Sequence, residues 1–331
     1  MGEPRNRILV GDALTELRKL ETGSIDQCLT SPPYFRLRDY AHVGQLGFEC
    51  HVEDWAGGLR DIAREVHRVL TPTGTFWLNL GDTYAAHPSQ GAPRKSLLLA
   101  PERLARLLVA DGWILRNKII WAKPNPMPSS VPDRLTAAHE IVYVLAKQPR
   151  YFFDLDAVRI PHTSKPGKPP RPSARRPPAR QEWRGPNASA TTGLTDLRAK
   201  GVIGHPLGKN PGDVWTIPTA PGTGSHHAAF PRALAERCVL AGSPEQRCSS
   251  CRAPYRRPLQ RLGATAVRLA LAPTCHHAGE PEPGIVLDPF MGSGTTGLVA
   301  SAHGRDWVGI ELNPVFADEA EQRIQRARGS P

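Results

Sequence analysis

The chain has 331 residues, 40% hydrophobic and 6% aromatic, so it can bury a sizeable core and is not disordered as a whole. Its 42 Lys and Arg against 31 Asp and Glu give a formal net charge of +11, which favours a polyanionic partner such as nucleic acid. The sequence contains no signal peptide, no apolar run of the ~18 residues that a membrane span needs, and too few cysteines (six) for a disulfide scaffold. We therefore expect a cytoplasmic protein.

The first half of the chain predicts strands that alternate with helices. Apolar runs predict strands at 7–10, 25–29, 75–80, 114–121 and 140–146. Apolar residues at helical spacing predict helices near 14–20, 55–70 and 97–110. Such alternation is typical of an α/β fold, a doubly wound and mostly parallel sheet with helices on both faces.

The composition changes after residue 160. Residues 161–186 contain eight Pro and seven Lys or Arg but a single acid, and such a segment cannot bury enough apolar surface to order itself. It is either a flexible linker or a basic arm that orders on nucleic acid. Residues 187–213 stay polar and Gly-rich, so 161–213 is interpreted as an insertion.

Cysteine and histidine cluster late in the chain, in residues 248–277. Cys248 and Cys251 form a C-x-x-C pair, and Cys275 is followed by His276 and His277. Three thiolates and one imidazole make a closed tetrahedral set for zinc, with His277 as the preferred imidazole. The sequence thus predicts a small zinc-ribbon-like insert, although three free surface cysteines remain the alternative. Nearby arginines are expected to contact phosphates: Arg247, Arg252, Arg256, Arg257 and Arg261.

A glycine-rich turn follows the apolar strand expected at 285–288. Gly292, Gly294 and Gly297 satisfy G-x-G-x-x-G, and Glu311 ends the next predicted strand, where an acid can bind ribose hydroxyls. This context indicates an adenosine-type cofactor. The fingerprint alone does not distinguish NAD from S-adenosylmethionine, because both carry a ribose.

A second motif, Ser31-Pro32-Pro33-Tyr34, follows the strand expected at 25–29. Two prolines fix the backbone and remove N–H donors, so carbonyl and hydroxyl acceptors stand beside an aromatic ring. A base that is flipped out of the helix and carries an exocyclic amino group needs such acceptors and such a stacking surface. By itself the motif is more typical of an ordinary turn, because Ser-Pro-Pro is common in loops.

Together, the two motifs resemble those of the amino-methylating DNA methyltransferases, which modify cytosine N4 or adenine N6. In this chain the Ser-Pro-Pro-Tyr motif comes first and Asp288-Pro-Phe-Met-Gly-Ser-Gly-Thr-Thr comes last, the permuted order of the β group. The resemblance covers roughly 5–160 and 210–328. It implies a class I, Rossmann-like fold, S-adenosyl-L-methionine as cofactor, double-stranded DNA as partner, and a possible cognate restriction enzyme.

The resemblance also assigns roles to residues and segments. It implies catalytic residues at Ser31, Pro32, Pro33 and Tyr34. It implies cofactor-binding residues at Asp12, Phe230, Pro231, Asp288, Phe290, Gly292, Ser293, Gly294, Thr295, Thr296, Glu311 and Asn313. The resulting segments are a catalytic half (5–160), a possible target-recognition region (161–213), a cofactor-binding half (214–247 and 278–328) and the zinc-binding insert (248–277).

Serine at position 31 favours one of the two products. In the family that the chain resembles, Ser before Pro-Pro is more common in cytosine-N4 enzymes and Asp in adenine-N6 enzymes. We therefore expect N4-methylation of cytosine, with adenine N6 as the alternative. An RNA or protein methyltransferase and a non-catalytic DNA-binding protein are less favoured by an intact Ser31 and an intact glycine turn.

Overall fold

A computed structural model describes residues 5–38, 44–162, 205–219, 230–262 and 265–329. The strands are β1 (Arg7–Val10), β2 (Ile25–Thr30), β3 (Leu70–Leu80), β4 (Ile114–Ala122), β5 (His139–Ala146), β6 (Val214–Thr216), β7 (Gln246–Cys248), β8 (Leu259–Leu262), β9 (Thr265–Arg268), β10 (Pro281–Pro283), β11 (Ile285–Asp288) and β12 (Asp306–Glu311). The helices are α1 (Ala13–Lys19), α2 (Val52–Val69), α3 (Ala100–Ala110), α4 (Arg232–Gly242), α5 (Thr295–Ala302) and α6 (Pro314–Gly329). The predicted alternation is confirmed. Residues 163–204, which make up most of the predicted insertion at 161–213, lie outside the described residues.

The main sheet confirms the predicted fold class. Within the described residues its strand order is β1-β12-β11-β2-β3-β5-β4-β6. The pairs from β1 to β3 are parallel, β5 runs antiparallel to both β3 and β4, and β4 pairs in parallel with β6. Because β11 lies directly beside β2, the late glycine turn and the early Ser-Pro-Pro-Tyr motif meet at the same edge of the sheet.

Apolar side chains cover both faces of this sheet. Helices α1, α2 and α3 pack on one face through fully buried residues such as Leu17, Trp55 and Leu104. Helices α4, α5 and α6 pack on the other face, where Trp77 and Trp215 are also buried. No helix in the described ranges is both long and apolar enough to cross a lipid bilayer.

One strand begins earlier than the sequence predicts. Residues Thr71–Gly74 resemble a break between a helix and a strand, but β3 starts at Leu70, directly after α2. Extended backbone is held there by partners from elsewhere in the chain: Leu70 pairs with Ile25 of β2, and the carbonyl of Thr73 accepts from Phe152. Tertiary pairing therefore overrides the local turn signal.

The cysteine-bearing segment forms two small antiparallel pairs, β7 with β10 and β8 with β9. Strand β10 ends at Pro283, immediately before β11 begins at Ile285. The segment thus lies at the amino-terminal edge of the parallel strands, opposite the edge that carries the two sequence motifs.

Candidate active site

A cavity of about 640 Å³ opens at the carboxyl ends of the parallel strands. Its wall takes Gly11 and Asp12 after β1, Ser31 after β2, Asn79 near the end of β3, and the turn after β11. The loops that follow parallel strands all meet at this edge, which is the usual ligand crevice of an open α/β sheet.

Asp288 joins the two sequence motifs. Its carboxylate is buried and accepts hydrogen bonds from Thr30 Oγ1 and Thr296 Oγ1, each at 2.6 Å, and from the N–H of Phe290 at 3.1 Å. Burial raises the pKa of Asp288 from its ordinary value of 3.8 to about 6, although the two hydroxyl hydrogen bonds lower it. Because Thr30 directly precedes Ser31, the Thr30 hydrogen bond fixes the position of the Ser-Pro-Pro-Tyr motif relative to the glycine turn.

The glycine turn needs its glycines for two different reasons. Gly292 and Gly294 have φ values of +50° and +78°, in the left-handed region that disfavours a side chain. A Cβ at Gly297 would lie 2.6 Å from Met291 Cε, so this glycine permits close packing of α5. The turn thus presents backbone N–H groups at the start of a helix, as dinucleotide-binding turns do.

Glu311 is held against this turn by backbone donors. Its carboxylate accepts from the N–H of Gly292 at 2.8 Å and from the N–H of Asn313 at 3.0 Å. A carboxylate has about four lone-pair positions, so Glu311 can still accept ribose hydroxyls from the cavity that it lines. Asp12 lies on the same wall and caps α1 through Thr15.

Most of the predicted cofactor residues line this one cavity. They are Asp12, Phe230, Asp288, Phe290, Gly292, Ser293, Thr295, Glu311 and Asn313, beside all four motif residues Ser31, Pro32, Pro33 and Tyr34. Three other predicted residues lie behind the wall: Gly294, Thr296 and Pro231. Gly294 packs on α6, Thr296 donates to Asp288, and Pro231 caps α4, so they shape the cavity without lining it.

Sequence reasoning missed a polar group opposite Ser31. Glu140 on β5 lines the cavity, and its Oε2 accepts from Tyr34 Oη at 2.7 Å. Tyr34 Oη lies 3.0 Å from Ser31 Oγ, and the second carboxylate oxygen of Glu140 pairs with Lys123 Nζ. Asn79 Nδ2 donates to the same Glu140 oxygen at 3.1 Å. Position 140 follows His139 in an otherwise apolar strand, and only the pairing of β5 with β3 and β4 places it here.

The four predicted zinc ligands converge in the structure. One ligand atom from each of Cys248, Cys251, Cys275 and His277 lies within 4.8 Å of the others. Cys248 is buried at the end of β7, whereas Cys251 and His277 are exposed. A set of three thiols and one imidazole is the donor chemistry that zinc prefers.

Three of the five arginines that the sequence assigned to a phosphate-contacting surface pair with acids of the chain instead, whereas Arg256 and Arg261 are exposed. Arg247 is fully buried and donates to Asp26 at 3.1 Å and to Glu282 at 2.8 Å. Arg257 pairs with Glu245 at 2.6 Å, and Arg252 pairs with Glu21 at 2.8 Å. These guanidinium groups attach the insert to the amino-terminal edge of the sheet, so they are held by acids of the chain itself.

Comparison with known proteins places the sequence among DNA methyltransferases. The profile of the DNA methylase family N6_N4_Mtase matches residues 25–322. The chain is 35% identical to the type II methyltransferase M.SmaI of Serratia marcescens, a similarity that covers 97% of this chain and 91% of that protein. It is 33% identical to M.Cfr9I of Citrobacter freundii, over 95% of this chain and 86% of that protein.

Solved structures share the fold. The cytosine-N4-specific PvuII DNA methyltransferase superposes with a TM-score of 0.57 at 18% identity, over 98% of this chain and 94% of that chain. TTHA0409 of Thermus thermophilus, in complex with S-adenosyl-L-methionine, superposes with a TM-score of 0.55 at 22% identity, over 98% and 95% of the two chains. At these identities the likeness establishes the architecture of the sheet and its helices.

Proposed function

We propose that this chain, which belongs to the N6_N4_Mtase family of DNA methylases, transfers a methyl group from S-adenosylmethionine to N4 of cytosine. The observation that carries the proposal is Ser31, which lines the cavity at the head of Pro32-Pro33-Tyr34. In this family a serine at that position is more common in cytosine-N4 enzymes than in adenine-N6 enzymes.

The residues of the cavity fit S-adenosylmethionine. The volume of about 640 Å³ lies within the usual range of small-molecule sites, roughly 300–1,000 Å³. The Gly292 turn and Glu311 offer the donors and acceptors that a ribose and a charged methionine end require, and Phe290 and Phe230 add aromatic surface. When bound, the cofactor supplies an electrophilic methyl group on a sulfonium.

Ser31 and Pro32 are the residues that we assign to orienting the amino group of the base. The lone pair of an exocyclic amino group is delocalised into the base, so the free base is a poor nucleophile. We propose that Ser31 Oγ and the Pro32 carbonyl accept its two hydrogens and thereby turn the nitrogen lone pair toward the methyl group. Catalysis is then mostly orientation and electrostatics, with no covalent adduct between protein and base.

Nucleoside mass spectrometry tests the product directly. DNA from a host that expresses the protein is hydrolysed, and its methylated nucleosides are compared with those of a host carrying the Ser31→Ala variant. We expect N4-methylcytosine in the first sample only. A methyl group found only on adenine would overturn the assignment to cytosine but would leave the fold and the cavity unaffected.

We also propose that Cys248, Cys251, Cys275 and His277 hold one structural zinc ion. The support is their convergence within 4.8 Å and their thiol and imidazole chemistry. The Cys251→Ser variant should lose the metal and melt at a lower temperature, because zinc binding to such a set contributes to folding. Cys50→Ser is the matched control, since Cys50 is exposed and lies outside the cluster. Protein purified without chelator that contains about zero zinc per chain contradicts the proposal.

Three further assignments remain part of this proposal. Because M.SmaI and M.Cfr9I are type II methyltransferases, we propose that a restriction enzyme acts on the same DNA site.

Residues 161–213 are proposed to contribute to target recognition, and the protein is proposed to act in the cytoplasm, where its DNA substrate lies. Deletion of 163–204 should weaken DNA binding and reduce its salt dependence, because seven Lys or Arg residues lie between 161 and 186. DNA affinity that is unchanged at every salt concentration contradicts a role in DNA binding, and a deletion variant that still methylates the same sequence contradicts a role in target recognition.

A further inference from the structure

We propose that Glu140 is a positioning residue that fixes the direction of a hydrogen-bond chain, so that Ser31 can act toward the base only as an acceptor. The chain runs from Ser31 through Tyr34 to Glu140. The consequence is selection for bases that present an amino group over bases that present a carbonyl at the same position. The inference rests on the proposed function and adds to it a basis for substrate choice.

The donor-to-acceptor direction of these hydrogen bonds follows from the number of protons that each group can donate. An ionised carboxylate only accepts hydrogen bonds, and a tyrosine hydroxyl has one proton to donate. Tyr34 Oη lies 2.7 Å from Glu140 Oε2 and 3.3 Å from Asn79 Oδ1, so the shorter bond to the charged acceptor takes that proton. Tyr34 Oη then has only lone pairs for Ser31 at 3.0 Å, and the Ser31 hydroxyl must donate to it.

Glu140 is itself held by donors on both oxygens. Asn79 Nδ2 donates to Oε2 at 3.1 Å, and Lys123 Nζ pairs with Oε1. The Lys123 ammonium also lies 4.6 Å from the centroid of the Trp121 ring, and the side chains of Lys123 and Glu140 are only 18% and 16% exposed. The carboxylate is therefore fixed in one place, and Tyr34 in turn packs closely on Gly81, where a Cβ would lie 2.7 Å from Tyr34 Cε2.

An acceptor-only Ser31 distinguishes two classes of base. Cytosine and adenine present amino donors at the reacting position, whereas uracil and hypoxanthine present a carbonyl oxygen there. A carbonyl facing the Ser31 lone pairs forms no hydrogen bond and leaves both oxygens unpaired, and sites built around a hydrogen bond reject such analogues strongly. The same lone pair that rejects a carbonyl holds an amino hydrogen and orients the nitrogen.

A double-mutant cycle tests the chain of contacts. Tyr34→Phe keeps the ring but removes the linking hydroxyl, and Glu140→Gln replaces an acceptor-only group by an amide that can also donate. Each variant should lower the single-turnover methylation rate about tenfold at saturating DNA, consistent with the loss of one ordered hydrogen bond. The double variant should also lose about tenfold rather than a hundredfold, because among the described residues Tyr34 is the link between Glu140 and Ser31. Multiplicative losses, or a Glu140→Gln variant with the wild-type rate, overturn the inference.

A binding measurement separates this role from a structural one. Wild-type protein should bind a duplex with the target cytosine more tightly than one with uracil there, and Tyr34→Phe and Glu140→Gln should narrow that ratio. If the target is adenine, hypoxanthine replaces uracil. Glu102→Gln is the matched control, because Glu102 pairs with Lys118 away from the cavity. Unchanged ratios overturn the inference, whereas a wild-type protein that methylates no DNA overturns the proposed function instead.

Discussion

Each of the two edges of the central sheet contains a buried acid, and the two acids differ in their hydrogen-bond partners. At the amino-terminal edge, Asp26 of β2 accepts from the N–H of Ile285 at 2.8 Å and from the guanidinium of Arg247. At the carboxyl-terminal edge, Asp288 of β11 accepts from Thr30 of β2. The two acids therefore join the same pair of strands at opposite ends.

The two acids differ in the groups that balance the negative charge of their carboxylates. A fully buried cation meets Asp26, and that cation comes from the segment that carries the cysteine cluster. Asp288 meets two neutral hydroxyls and a backbone N–H, with no cation among its hydrogen-bond partners in the described ranges. A buried ion pair thus occupies one edge, while hydroxyl and backbone donors satisfy the buried acid at the other edge.

The largest expected effect on stability comes from breaking the ion pair. Arg247→Met leaves Asp26 buried without its cation, which typically lowers the free energy of unfolding by about 3–5 kcal/mol. Chemical denaturation measures this loss. Arg64→Met is the control, because the Arg64 side chain is 53% exposed and an exposed ion pair such as that with Asp111 contributes little to stability. Equal losses in the two variants contradict the structural role of Arg247.

The largest expected effect on chemistry comes from the opposite edge. Ser31→Ala should lower turnover by roughly 10²–10³, the usual cost of removing one hydrogen bond that stabilises a transition state. Cofactor affinity should stay near that of the wild type, because Ser31 is assigned to the base and the Gly292 turn to the cofactor. Isothermal titration and methyl transfer measure the two separately, and Ser89→Ala serves as control, because Ser89 is exposed and does not line the cavity. Wild-type turnover by the Ser31→Ala variant contradicts the assignment.

The smallest expected effect is on the pH dependence of stability. Burial raises the pKa of both Asp26 and Asp288 from 3.8 to about 6, although Arg247 lowers it for the first and the threonine hydroxyls for the second. Between these pH values the folded protein binds more protons than the unfolded chain, so the free energy of unfolding falls as pH rises. The fall is at most roughly 3 kcal/mol for each carboxyl group.

Asp288→Asn should reduce that fall, because an amide does not ionise. Denaturation series at pH 4.5 and pH 7 measure the difference, with Asp318→Asn as control for an exposed carboxyl. If Asp288→Asn keeps the full wild-type dependence on pH, the raised pKa of Asp288 is wrong.

Sequence reasoning worked best where a residue type and a local turn carry the chemistry. The glycine turn with the acid at the end of β12, and the Cys248-x-x-Cys251 pair, are visible as short motifs with fixed spacing. Tertiary structure then brought most of the predicted residues to one cavity. The arginines near the cysteines were harder to assign. An arginine that is exposed to phosphate and one that is buried against Asp26 look the same in a sequence.

The sequence by itself determined the class of fold, the family and the two motifs, because strand periodicity, glycine positions and proline pairs are local constraints on the backbone. Only the tertiary structure decided the partners of these motifs. The register Trp121↔Glu140 and the pairing of β5 with β3 bring Glu140 to Tyr34, across 106 positions of the chain. The pairing of β2 with β11 likewise brings Asp26 within hydrogen-bond distance of Ile285, and Thr30 within hydrogen-bond distance of Asp288. Contacts between such distant positions depend on strand order and register, which no local pattern of residues encodes.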